Sequence, residues 1–201
     1  MDTNTPQIVA GFAGTELLGR GPLRELVALG KGQLDDGETR RLALYDDDSG
    51  RVVDVDYDGS LTQVLARLDA PPEPPPAAEP RRGPGRPRLG VVSREVSLLP
   101  RHWQWLSEQR GGASATLRRL VEAAAKAQAP EARARKAIDA AHRFIWDIAG
   151  DQPDFEEATR ALFAADFERL ADLTLAWPAG IVEQLERYTA RAGEALDPHR
   201  S

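Results

Sequence analysis

Arg81, Arg82, Arg86, Arg88, Arg94, Arg101, Arg118 and Arg119 lie in a stretch that holds only two carboxylates, Glu95 and Glu108. Guanidinium groups stay charged at any physiological pH and present forked donors that match phosphate oxygens, so the chemistry on offer is anion holding rather than proton transfer. Ser97, Ser114 and Thr116 add hydroxyls able to donate to the same oxygens. The whole-chain charge of −6 hides this concentration. Residues 1–80 carry 7 Lys and Arg against 15 Asp and Glu, residues 81–136 carry 13 against 4, and residues 137–201 carry 6 against 13, so a centre of +9 sits between flanks of −8 and −7. A basic centre of this kind is the electrostatic footprint of a polyanion partner. Its alternative is a basic stretch that docks on its own acidic flanks.

Other chemistries find less support. The chain has no cysteine, so disulfides, thiolate metal sites and a cysteine nucleophile are absent. His102, His142 and His199 lack a second ligand at zinc-site spacing and read as structural or surface groups. Asp54, Asp56, Asp58 and Gly59 match the first half of a calcium loop, but the twelfth position, which needs a bidentate glutamate, is Leu65. Alternating aspartates on the wet face of a strand account for the same letters. No Gly-rich phosphate loop and no serine-nucleophile elbow occurs. The expectation is a protein that is not an enzyme and needs no cofactor or metal, and an acidic catalytic site in residues 35–58 is set aside. No run of 18 apolar residues is present, and the N-terminus lacks a basic start, so the expected location is the cytoplasm, away from membranes.

The elements that would position the arginines can be read from spacing. Residues 81–92 form an Arg, Gly and Pro string without apolar periodicity, an arm rather than a folded element. Arg94 to Leu99 alternates, with Val96 and Leu98 on one face and Glu95 and Ser97 on the other, and reads as a strand. Pro100 suits a first helical turn, and Leu99, Trp103 and Leu106 recur at i, i+4 and i+7, with Trp103 as core and Trp105 free to be core or to stack on unpaired bases. Gly111 and Gly112 end that helix. Ser114 is placed to cap a second, which carries Leu117, Leu120, Val121 and Ala124 and ends before Pro130. A lone strand leaves its backbone groups unpaired, which points to a second copy and a homodimer.

This strand, helix, helix order over Ser93 to Ala127 resembles the ribbon-helix-helix family of DNA-binding proteins. The resemblance implies paired strands from two copies lying in the major groove. It places Ser97 on the base-facing side, Ser114, Thr116 and the N–H groups opening the second helix on a phosphate, and Arg94, Arg101, Arg118 and Arg119 nearby. Glu95 and Leu99 depart from the family pattern, standing where a basic or amide residue and a capping residue are usual. Pro84-Gly85-Arg86-Pro87-Arg88 resembles an AT-hook, which implies Arg86 in an A·T minor groove flanked by Arg82 and Arg88, with Pro84 replacing the usual arginine. The RGPGRPRLGVVSREVSLLPRHWQWL segment resembles an uncharacterised bacterial family, domain of unknown function 2239, which implies no activity.

The flanks read as follows. Residues 1–69 form a small acidic ββαββα unit. Its strands hold Ile8, Ala10 and Phe12, then Leu17 and Leu18; a helix runs from Pro22 to about Gly30; a hairpin joins Leu42 and Leu44 to Val53, Val55 and Tyr57; and a helix holds Leu61, Val64, Leu65 and Leu68. Residues 70–80, APPEPPPAAEP, form a stiff Pro-rich linker. The reader occupies 93–128 and an acidic helical bundle 129–201, with Ile181, Leu185, Tyr188 and Ala192 as the seam of the last helix. The fold class is α+β with two small cores. The reading for function is a dimeric DNA-binding protein, a transcriptional regulator or nucleoid-associated factor on duplex DNA, A·T-rich where the arm engages. Its alternative is a non-enzymatic protein-protein interaction protein.

Overall fold

The structure is a computed structural model and describes residues 6–69 and 95–197. It is α+β. The first part is ββαββα as the spacing predicts: β1 (Ile8–Ala13), β2 (Glu16–Pro22), α1 (Leu23–Asp35), β3 (Leu42–Asp46), β4 (Val52–Val53) and α2 (Leu61–Asp69). The strands make one antiparallel sheet in the order β2-β1-β3-β4. Helices α3 (Pro100–Ser107), α4 (Gly112–Ile148), α5 (Phe155–Phe163), α6 (Phe167–Leu173) and α7 (Ala179–Leu196) follow. The chain divides into two compact units, one of residues 1–70 and 129–201 and one of residues 71–128.

In the first unit, β1 and β3 are apolar on both faces, and period two sends alternate residues to opposite sides. Val9 and Leu44 meet Leu26 and Val27 of α1 and Val64 of α2. Ala10, Phe12, Ala43 and Tyr45 meet Phe144 and Ile145 of α4, Leu162 of α5, Leu170 of α6 and Ile181, Leu185 and Tyr188 of α7. The sheet is thus a middle layer. Sequence reading places residues 1–69 and 129–201 in separate domains. They share one core, because α1 and α2 cover a single face and the other would stand bare. In place of the two small cores expected from composition, the structure has one large core and one small one on opposite faces of this sheet. An aromatic cluster fastens the larger face, with Phe144 5.5 Å from Phe12, 5.0 Å from Tyr45 and 5.8 Å from Tyr188, ring centre to centre.

Two glycines are dictated by this packing. Gly50 has φ +67°, and a Cβ there would lie 2.0 Å from the carbonyl oxygen of Ala140 on α4. Gly30 does not end α1 as its type suggests. The helix continues to Asp35, and a Cβ at Gly30 would lie 2.9 Å from the Tyr57 hydroxyl that rests over it.

Three further expectations differ from the structure. Residues 95–99 form no strand, and none of the described residues pairs with them. The second helix does not stop before Pro130: α4 runs 37 residues through it. Proline there removes one backbone donor, and the surrounding Ala, Lys, Gln, Glu and Arg are strong helix formers. Helix α4 also opens at Gly112, so Ser114 is within its first turn rather than its cap. In the C-terminal helices the agreement is close. Asp166 caps α6, accepting the Arg169 N–H at 3.1 Å; Pro178 precedes α7, and Ile181, Leu185, Tyr188 and Ala192 are all buried.

Candidate nucleic-acid interface

Within residues 95–128 the chain makes a helical hairpin, α3 and the first part of α4. The two helices are joined by a turn at Gly111 and Gly112, whose φ angles of +94° and +77° suit residues without a side chain. Leu106 and Thr116 are the hairpin's buried side chains. Thr116 was read as a phosphate ligand, but its hydroxyl is buried and lacks a hydrogen-bond partner, which removes it from any surface site in this arrangement. The apolar side of Val121, with Ala124 beyond it, points into solvent instead. Ser97, Arg101, Ser114, Arg118 and Arg119 are exposed. Arg81, Arg82, Arg86, Arg88 and Arg94, with the linker and the arm, lie outside the described residues.

The exposed cations of the hairpin share one property. Arg101, Arg110, Arg118, Arg119 and Lys126 form no ion pair or hydrogen bond among the described residues. Arg110 and Lys126 were not named from sequence, although the same charge count contains them. The aromatics show the same openness. Trp103, expected in the core, is 44% exposed and Trp105 is 48% exposed, and Leu106 is the buried residue of α3.

A second concentration of charge surrounds the β3–β4 turn in the first unit. Asp46 accepts from the Ser49 N–H at 2.8 Å, the Ser49 hydroxyl at 2.6 Å and Gln7 Nε2 at 2.9 Å. Burial opposes its charge, yet these donors outweigh it and hold the carboxyl below its ordinary range. Gln184 Nε2 donates to Asp47 at 3.1 Å, Arg191 pairs with Asp47 at 3.5 Å, Lys136 pairs with Asp48, and Arg143 donates to the Ser49 carbonyl at 3.0 Å. Arg191 also lies 4.9 Å above the Tyr188 ring. A cleft of about 470 Å³ opens here between Asp48, Arg133, Lys136, Arg191 and Glu194. Most of its cations are already matched by the turn, so this cluster fixes the sheet to α4 and α7. Nearby, Tyr45 donates to Asp147 at 2.6 Å while Arg41 holds the same carboxylate at 2.9 Å. Burial first, then Asp147, raises the Tyr45 phenol far above its usual range. The partnerships that join the turn to α4 and α7 are not visible in sequence, because those groups lie about 90 to 140 residues apart.

The remaining candidates resolve into structure. Asp54, Asp56 and Asp58 are exposed and alternate with half-buried Val53, Val55 and Tyr57, and Arg67 pairs with Asp56 at 3.2 Å. His102 is exposed on α3, His142 lies 4.9 Å from the Phe163 ring and 5.7 Å from Trp146, and His199 is outside the described residues. Among the described residues no three His, Cys, Asp or Glu side chains gather as a metal site, and no helix is long and apolar enough to cross a membrane.

Neither a curated protein nor a solved structure matches this chain. A family model described as an uncharacterized protein conserved in bacteria (DUF2239) matches residues 8–189, which include both the sheet with its covering helices and the α3–α4 hairpin, so the chain belongs to that bacterial family.

Proposed function

We propose that this protein binds DNA through its basic centre, as a dimeric bacterial regulator or nucleoid-associated factor. The observation that supports this reading is the set of unmatched cations on the hairpin, Arg101, Arg110, Arg118, Arg119 and Lys126, beside an arm that supplies Arg81, Arg82, Arg86, Arg88 and Arg94 with no acidic residue between them. Unneutralised guanidinium groups attract phosphate and release its counterions. In the finer form of the proposal, residues 94–99 become strand only when they pair with a second copy, as a ribbon-helix-helix reader requires, and the arm lies in an A·T-rich minor groove. The exposed side chains of Leu120 and Val121 support a protein contact as a second reading, in which the hairpin meets another protein and not DNA.

The test is the affinity of the full chain for labelled duplex DNA across a salt series. The expected result is a linear fall of log affinity with log salt, with a slope of about five to ten for a dimer. Absence of binding at low salt, or a flat salt response, removes nucleic acid as the partner and leaves the protein contact.

A further inference from the structure

Four tryptophans are present, and they are used in two ways. Trp177 is buried, its indole N–H donates to the Pro153 carbonyl at 2.8 Å, and it stacks on Phe155. Trp146 is exposed but touches His142 and Phe155. The Trp103 and Trp105 indoles make no ring contact, cation-π contact or hydrogen bond among the described residues, although the Trp105 carbonyl accepts from Gln109 Nε2 at 3.1 Å. On α3 they point different ways. Trp103 follows Leu99 and precedes Leu106 at helical spacing, so it borders the buried side. Trp105 is about 100° away from Leu106, while Arg101, at i−4, is its neighbour one turn back. Trp105 thus leaves about half of a large apolar surface in water beside an arginine that holds no partner.

Resting on the nucleic-acid reading above, we infer that Arg101 and Trp105 form a subsite for single-stranded nucleic acid, in which Arg101 holds a backbone phosphate and the Trp105 indole stacks on an unpaired base. Every base has a π-face, so stacking of this kind tolerates any sequence, but in a paired duplex that face is covered by its neighbours. Charge complementarity selects this occupant over an apolar protein segment: Arg101 and Arg110 on this hairpin have no acidic partner. Glu108, one turn beyond Trp105, opposes phosphate at that end and directs the backbone toward Arg101. The subsite gives the protein a preference for melted or gapped DNA, or for single strands, over an equally long intact duplex.

The experiment uses the full chain with labelled oligothymidylate and with a paired duplex of equal length at one salt concentration. The variants are Trp105→Ala, Trp105→Phe and Arg101→Ala, each checked for an unchanged melting curve. Trp105→Ala is expected to weaken oligothymidylate binding roughly tenfold and leave duplex binding within about twofold, Trp105→Phe to retain most of the affinity, and Arg101→Ala to weaken both. Oligothymidylate should also quench tryptophan fluorescence in the wild type and quench it less in Trp105→Phe. Equal losses on both probes, or an unchanged Trp105→Ala, overturn the subsite. If the wild type binds duplex with a steep salt slope but binds oligothymidylate more weakly, the subsite is wrong and the DNA-binding proposal stands. If it binds neither, both fall.

Discussion

The sheet unit and the α3–α4 hairpin use the same side chains in opposite ways. In the sheet unit Arg24 holds Asp69 at 2.8 Å, Arg40 bridges Glu16 and Glu38, Arg41 holds Asp147 and Arg67 holds Asp56. In the hairpin Arg101, Arg110, Arg118 and Arg119 hold nothing among the described residues. Aromatic rings divide less cleanly: Phe12, Tyr45, Phe144 and Tyr188 are fully buried against one another, whereas Trp103 and Trp105, like Trp146 and Phe163 of the sheet unit, are about half exposed or more. Exposed ion pairs contribute little stability one by one, so the difference is not one of strength. What pairing does is cancel the local field. The sheet unit is net acidic and pairs many of its cations internally, whereas the hairpin leaves its cations unmatched and a positive field for something outside it.

If that division is right, truncating aromatics should be costly in one region and cheaper in the other. Phe144→Ala removes the ring at the centre of the cluster and is expected to destabilise by about 3–5 kcal/mol in denaturant unfolding. Trp103→Ala, in the hairpin, is expected to cost about 1–2 kcal/mol, clearly less than Phe144→Ala, since nearly half of that side chain is already in water. Comparable losses for the two would mean that the Trp103 ring packs as tightly as the Phe144 ring does.

The same asymmetry has a pH signature confined to the sheet unit. Burial pushes the Tyr188 phenol up to about 12 from 10.0, with the Asp47 charge acting in the same direction, and raises Tyr45 and Tyr57 as well. A raised phenol means that the unfolded chain releases its proton first. The stabilising contribution is therefore complete below about pH 10 and is lost as pH rises toward 12. For Tyr188 alone the loss is roughly 2–3 kcal/mol. Alkaline titration should show tyrosinate absorbance arriving together with unfolding rather than before it. Early, reversible ionisation of all three tyrosines without unfolding would contradict the burial of the cluster.

How far these regions were legible before the structure follows from the range of the interactions involved. The ββαββα order was readable because each piece is local: alternation at Ile8, Ala10 and Phe12, the Asp47 to Gly50 turn, and the i, i+4, i+7 seam of α7. That β1 is buried on both faces was not, since Val9 and Gly11 look like the outward partners of that alternation until α1 and α2 lie over them. Pro130 was read by its intrinsic preference, which the helix formers around it override. At the candidate site the free arginines follow from a charge count. The burial of Thr116 and the exposure of Trp103 depend on which side of each helix meets the other, and two short amphipathic stripes do not settle that.

The smallest expected effect on stability is also the sharpest separation of the two regions. Arg118 and Arg119 are exposed and unpaired, so Arg118→Ala and Arg119→Ala should each change unfolding free energy by no more than about 0.5 kcal/mol. If either guanidinium neutralises a phosphate, its loss lowers the salt slope of duplex binding by about 0.9 per contact per bound copy. Arg24→Ala supplies the comparison. That arginine is exposed too, but its charge is matched by Asp69 at 2.8 Å, and removing it uncovers a carboxylate instead of subtracting a phosphate contact. Stability in that variant should again move by less than about 1 kcal/mol, and the slope should stay that of the wild type even if overall affinity shifts slightly through net charge. A slope lowered equally by Arg24→Ala and by Arg118→Ala would show that DNA responds to total charge alone, and the distinction between paired and free arginines would then carry no functional meaning.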